Sequence, residues 1–500
     1  MRTTRTRGRL ILALAAIAVA LLGQAVVSAA PVAAAVGDLT GQGCISNEPI
    51  DGCQTAPEAA LKGARTTVVS PDGANLYAAN MGSSSVTSYA RSSSGALTQI
   101  GCIAYSAIAG CTTASPASLE GARGIAISPD GVTVYVVSQT SDSITWFTRT
   151  PADGLLAQAG CIANEPTAGC TTAPQSSIER AYGVAVSPDG KNVYVASGIS
   201  DSVTWFSRSA GTGALTQQGC LSNAPIAGCT TASPASFDFS VGVAVSPDGR
   251  FVYVASGGSR AVNWLSRDPA SGALAQTGCI TDIAIAGCAN APYQSMEFVV
   301  SVALSPDGTS AYTVGYNANA LTSFSRNTMS GVLAQTGCIS EDPIAGCSGA
   351  PEKSLQFPYG VAVSPDGASV YASAYTFGVV TTLARAAGTG LLTWAGCVSS
   401  MDIVGCTTWT PDSLVGGAFG LSVSPDGASV YVSSAESDAI TWFARKRAQT
   451  ITFAQPPTVL LSAGTAALVA TASSGLPTVF ASSTPAVCTV AGSSAELVAA

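Results

Sequence analysis

Apolar residues in this chain fall into short runs cut by turn residues, and the same run-and-turn pattern recurs along most of its length. Gly183 to Ser187 is a short apolar run of strand type, stopped by Pro188-Asp189-Gly190. Proline presets the first central position of a tight turn, aspartate bonds the backbone ahead, and glycine accepts the positive φ. Asn192 to Ser197, rich in Val and Tyr, reads as a second strand, and Val203 to Arg208 alternates as a third. Turns at Gly198–Ser202 and Gly211–Gly213 separate these from a fourth, Ala214 to Leu221.

The unit repeats on a fixed clock. Its first cysteine falls at Cys44, Cys102, Cys161, Cys220, Cys279, Cys338 and Cys397, a period of 58 once and 59 thereafter. Ser-Pro-Asp-Gly begins at Ser70, Ser128, Ser187, Ser246, Ser305, Ser364 and Ser424. Four short antiparallel strands repeated seven times predict an all-β protein, a seven-bladed β-propeller of four-stranded blades. The chain enters on Gly37 to Ile45, which matches the outer strand of the other units, and its last unit supplies only three strands, Gly420 to Arg445. The N-terminal strand is therefore expected to pair with Ala439–Arg445 and close the ring, which removes exposed strand edges.

Composition and charge narrow the chemistry. Charged residues make up 10% and there is no histidine, so an imidazole-based nucleophile relay and His-ligated metals are excluded. Arg2, Arg5, Arg7 and Arg9, then the apolar Leu10–Gly23 and an Ala-x-Ala site at Ala33–Ala35, read as a signal peptide over residues 1–35. A membrane anchor is the alternative, and Gln24 with the small-residue tail favours cleavage. Removing those four arginines leaves 17 basic against 29 acidic side chains, a balance that disfavours nucleic acid and anionic lipid. No later segment is apolar enough to span a membrane. The expectation is a monomeric propeller, secreted or at the cell surface, facing an extracellular protein or glycan.

Val184–Ser197, followed by Asp201–Phe206 and Thr212–Leu215, resembles the repeats of lactonase-like, YVTN-type seven-bladed propellers over residues 37 to 445. Members similar to 6-phosphogluconolactonase would imply lactone hydrolysis. Such propellers favour a Pro-His pair before the inner strand. That column here holds Arg65, Arg123, Tyr182, Val241, Val300, Tyr359 and Phe419.

Each first cysteine has a partner nine residues on, and paired cysteines in an exported chain imply disulfides. Local pairing is expected, as Cys44–Cys53, Cys102–Cys111, Cys161–Cys170, Cys220–Cys229, Cys279–Cys288, Cys338–Cys347 and Cys397–Cys406; spacing leaves pairing between neighbouring blades open. Each local loop would contribute about 2.5–3 kcal/mol by chain entropy. The stapled loops are expected to crown the channel mouth.

Two columns are candidate binding positions. Glu120, Glu179, Asp238 and Glu297 stand before four consecutive inner strands, flanked in the other blades by Lys62, Gln356 and Val415. Converging carboxylates suit Ca²⁺ or a hydroxylated ligand, against the plainer reading of solvated loop charges. Arg65, Arg123, Tyr182 and Tyr359 suit an anionic or sugar-like ligand. No cofactor is expected apart from Ca²⁺ as the candidate metal. The Ser-Pro-Asp-Gly aspartates read as turn residues, and Trp146, Trp205, Trp264 and Trp442 as packing.

From Gln449 the pattern changes to one resembling the start of a bacterial immunoglobulin-like β-sandwich over 449–500, after a propeller spanning 36–448. Cys488 is the odd fifteenth cysteine, and its partner and further domains are expected past residue 500. Taken together, these features read first as a binding or adhesion module. The alternative is a lactonase-like hydrolase using carboxylates with a divalent metal. A purely structural surface protein is a third reading.

Overall fold

The computed structural model describes residues 37–414, 416–447, 451–454, 465–472, 478–482, 485 and 488–498. The signal-peptide reading over residues 1–35 and the candidate position Val415 lie outside the described residues. Gly37–Lys446 forms one compact unit, a ring of seven antiparallel blades. Blades one to seven start on the inner strands Ala64–Val69, Ala122–Ile127, Ala181–Val186, Ser240–Val245, Val299–Leu304, Pro358–Val363 and Ala418–Val423. In blade three the second, third and outer strands are Asn192–Ser197, Ser202–Arg208 and Leu215–Ser222. The ring closes through the N-terminal strand: Leu39–Ser46 lies antiparallel to Ala439–Arg445, with Leu39 opposite Arg445 and Ser46 opposite Ala439.

Each blade holds a fifth strand that the hydrophobic pattern does not announce. Two residues, such as Thr230–Thr231 in blade three, run parallel to the outer strand with Thr230 opposite Leu221. The cause is the disulfide. Each cysteine pairs with the one nine residues on, at Cα separations of 4.6 to 4.8 Å, which turns the chain back along the strand it has just left. The exposed pair covers the blade's outer edge. The stapled loops thus sit at the outer rim of the blades, and none of their residues lines the channel mouth; the crown expected there is not formed.

Trp146, Trp205, Trp264 and Trp442 are buried packing residues. Each indole lies across a glycine of its own blade's outer strand, and a Cβ at Gly219 would stand 2.4 Å from Trp205.

The blades are tied to one another by a clamp that repeats at all seven junctions. Arg267, at the end of blade four's third strand, donates from Nε to Tyr194 Oη of blade three at 2.8 Å and from Nη1 to the Gly249 carbonyl at 2.9 Å. Its Nη2 donates to the Asp189 carboxylate at 2.8 Å. Tyr194 in turn donates to the Gly272 carbonyl at 3.1 Å, and burial pushes its phenol up to about 12. Arg91 with Tyr431 and Asp426 makes the same clamp across the closure between blades one and seven. The repeated aspartates are turn residues, as Ser187 Oγ to Asp189 at 2.6 Å shows, and each also anchors the arginine of the following blade.

This gives the ring an acid sensitivity with a definite sign. Burial alone would raise the Asp189 carboxyl, but the Ser187 hydroxyl, Arg267 and the Lys191 amide outweigh it and hold the group below the usual carboxylate range. The corresponding aspartates Asp72, Asp130, Asp248, Asp307, Asp366 and Asp426 are lowered likewise. A carboxyl with a depressed folded pKa stabilises above its unfolded value, about 4, and that contribution is lost as pH falls through the folded value. Asp142, Asp201, Asp282 and Asp438 are shifted up by burial and act in the opposite sense, adding stability as pH falls towards about 4. A melting series should therefore show a flat or slightly rising Tm from pH 7 to about 5 and a fall below about 4. A Tm that does not fall below about pH 4 contradicts the clamp.

Past the ring, Ile451–Ala454 pairs with Val469–Ala472, and Ser494–Leu497 lies between Thr465–Ala467 and Cys488–Ala491. These strands fit part of a sandwich. Cys488 is buried and forms no disulfide. Among the described residues, no helix is long and apolar enough to cross a membrane.

Candidate functional site

The channel mouth is built by a local irregularity shared by every inner strand. In blade two, Ala122 pairs with Ser138 and Gly124 with Val137, so Arg123 between them is bulged out of the ladder. The same shift frees Arg65, Tyr182, Val241, Val300 and Tyr359, and Phe419 with Gly420. A bulge re-aims a side chain and bends its strand, and seven of them turn one sequence column over the channel. Below the bulge the blades come very close: a Cβ at Gly183 would stand 2.4 Å from the Val241 carbonyl oxygen of blade four. Above this collar lies a cavity of ≈ 180 Å³ lined by the bulged residues and their neighbours.

Within it the structure brings together four of the predicted residues, Arg65, Arg123, Tyr182 and Tyr359. The Arg123 guanidinium carbon stands 4.1 Å from the Tyr182 ring centre. Arg123 donates from Nη1 to Gln139 Oε1 at 2.7 Å, and its Nη2 reaches across the mouth to Tyr359 Oη. Arg65 stacks on Phe419 at 3.8 Å, and its Nε is buried with no hydrogen-bond partner among the described residues. Burial, then the charge of Arg123, lowers the Arg65 pKa. No carboxylate forms an ion pair with either arginine among the described residues. Two adjacent guanidiniums with spare donors and a flanking aromatic wall form an anion-binding arrangement.

Glu120, Glu179, Asp238 and Glu297 do not join this cavity. Each stands in the turn before its inner strand, where its backbone amide or carbonyl bonds the turn after the second strand, as Glu120 does with Ser141. The Glu297 carboxylate pairs with Arg260 at 2.8 Å. Among the described residues no three Asp, Glu or Cys side chains gather as a metal site, and the carboxylate column carries no step of the chemistry below.

Several residues outside the lining but packed against it, through Tyr182, Tyr359 and Phe419, escape column-by-column reading. Tyr316 and Tyr375 follow the second strands of blades five and six, and Tyr375 Oη donates to the Glu436 carboxylate. That bond, then burial, raises the Tyr375 phenol, and Glu436 also acts electrostatically on Arg65. Phe239, Phe298 and Phe357 stand two residues before their bulges. The available signal was variation: framework columns repeat blade after blade, whereas these change from glycine to aromatic around the ring.

A family model described as lactonase, seven-bladed β-propeller, matches residues 46–173 and 167–289. No curated protein matches the chain. Among solved structures, a candidate 6-phosphogluconolactonase from Bacteroides uniformis is similar at 16% identity and TM-score 0.50, over 76% of this chain and 92% of that one. One from Bacteroides fragilis is similar at the same identity and TM-score, over 76% and 90%. A periplasmic gluconolactonase from Pseudomonas aeruginosa shows 19% identity and TM-score 0.48, over 75% and 97%. With the matched repeats and the closed ring of blades, the chain is a seven-bladed β-propeller that is similar over residues 46–289 to the lactonase propeller family.

Proposed function

We propose that the channel mouth binds a small lactone, or the hydroxy-acid anion it yields, and opens the lactone ring. The observation that carries this is the convergence of Arg65 and Arg123 on one concave, aromatic-walled cavity in an otherwise acidic chain. The lactonase family match supports ring opening over adhesion, as do the stapled loops' position at the rim and not at the mouth. Seven disulfides suit an oxidising compartment outside the cytoplasm, which agrees with export.

The chemistry follows from the side chains present. Water adds to the lactone carbonyl carbon, and negative charge collects on the carbonyl oxygen. Guanidinium donors aimed there stabilise that charge most where water is scarce. The ring C–O bond then breaks, the alkoxide takes a proton, and the product carboxylate is left between two cations. With no imidazole in the chain, Glu436, which stands beside the lining, accepts a bond from Tyr375 and acts electrostatically on Arg65, is the carboxylate assigned to accept the water's proton.

Glucono-δ-lactone and γ-butyrolactone, assayed with and without Ca²⁺, test the reading. The expected result is turnover by the wild type that Glu436→Gln lowers about 10²-fold in kcat, while Glu120→Ala and Glu179→Ala keep it. Absence of turnover on every lactone tried would overturn ring opening.

A further inference from the structure

The mouth has two unlike halves. Blades one and two contribute the arginines, and from blade three onward a run of rings takes over. Tyr182 to Phe239 is 5.4 Å between centres, Phe239 to Phe298 5.3 Å, Phe298 to Tyr316 6.2 Å and Tyr316 to Phe357 4.9 Å. Three of these rings stand on backbone that phenylalanine rarely adopts: φ is 53° at Phe239, 54° at Phe298 and 50° at Phe357. At the same position blades one, two and seven use glycine, Gly63, Gly121 and Gly417, and blade three an arginine, Arg180, with φ 50°. A bulky residue in the left-handed region is strained and persists only where its surroundings over-determine it. At two of the three the preceding blade supplies an acceptor for the strained amide, Phe239 N to Asp201 Oδ1 and Phe357 N to Asn319 Oδ1, each 2.8 Å. The rings are only half-buried. The ring of blades closes with glycine at three of these positions and arginine at a fourth, so closure does not require the phenyl groups.

We propose that the ligand is amphipathic: its lactone or hydroxy-acid head lies at Arg65 and Arg123, and an apolar acyl or aryl substituent lies over Phe239, Phe298 and Phe357. The head group rests on the function proposed above; the substituent is new. Phenyl faces offer no hydrogen bonds, so this half of the mouth gains from covering apolar surface and gives little to a polyhydroxylated chain. Charge at one end and apolar area at the other match a ligand with the same division.

Calorimetric titration of 4-hydroxynonanoate, 4-hydroxybutyrate and gluconate into the full chain separates the two ideas. The expected result is 4-hydroxynonanoate binding at least about tenfold more tightly than 4-hydroxybutyrate, the gain from removing about two methylenes from water. Phe298→Gly should shrink that ratio severalfold. Because glycine relieves the strained φ, this variant is expected to fold, and an unchanged melting curve verifies that. Phe239→Gly provides the same test from the neighbouring blade. Equal affinities for the two hydroxy acids, gluconate as the tightest ligand, or a ratio untouched in both variants overturns the apolar substituent and leaves the head-group site standing. No binding of any of the three overturns both.

Discussion

Arg267→Met should lower Tm by roughly 4 °C, the largest stability loss expected of a single substitution away from the channel. Methionine keeps the apolar stem packed but removes every donor, so Tyr194, the Gly249 carbonyl and Asp189 lose a shared partner at one blade junction. Buried hydrogen bonds to a charged group are worth more than neutral ones, and stranding their partners adds to the loss. Asp189 is partly solvated and recovers some of it from water, which leaves about 3 kcal/mol. Arg267→Lys should restore only part, since an ammonium cannot reach a phenol, a carbonyl and a carboxylate at once. A Tm for Arg267→Met equal to the wild type would show that the clamp is decoration.

The largest functional loss is expected at Arg123. It touches Tyr182, bonds Gln139 and spans the mouth to Tyr359, so its removal takes away a donor to the developing oxyanion and the contact that bridges opposite sides of the cavity. Arg123→Met should lower kcat for lactone opening by about 10²–10³, the usual loss for one oxyanion donor. The melting curve should change little, because the blade two junctions are held by their own clamps. Arg65→Met should weaken substrate binding as well as turnover. Full activity in Arg123→Met would remove the arginine pair from the chemistry.

Most of the fold was legible in the residues, and the reason is repetition. A turn such as Pro188-Asp189-Gly190 can be read once and checked six more times. The ring closure followed from Gly37 to Ile45 standing where an outer strand belonged, and the strand forms over Leu39–Ser46. Less legible was anything set by contact between blades. Arg267 ends a strand like any solvated residue until its neighbour's Tyr194 and Asp189 are brought beside it. The two-residue fifth strands are too short to carry a pattern, and arise because a disulfide folds the chain back on itself. The candidate site was legible in half. Arg65, Arg123, Tyr182 and Tyr359 share a column because they share a bulge, so one register error in each inner strand collects them. Glu120, Glu179, Asp238 and Glu297 share a column as well, but theirs belongs to a turn outside the cavity lining. Phe239 and Phe298 were passed over because a phenylalanine in left-handed backbone is not something propensity suggests.

The central claim is that Arg65 and Arg123 form the ligand site of this propeller. Titration of gluconate into the wild type and into the Arg65→Met/Arg123→Met double variant at low salt tests it most directly. The prediction is one site per chain in the wild type, weakened at least about 100-fold in the double variant and by added salt, with the melting curve preserved. Binding of equal strength in both proteins, or no binding of gluconate, 4-hydroxybutyrate or 4-hydroxynonanoate by the wild type, would contradict it.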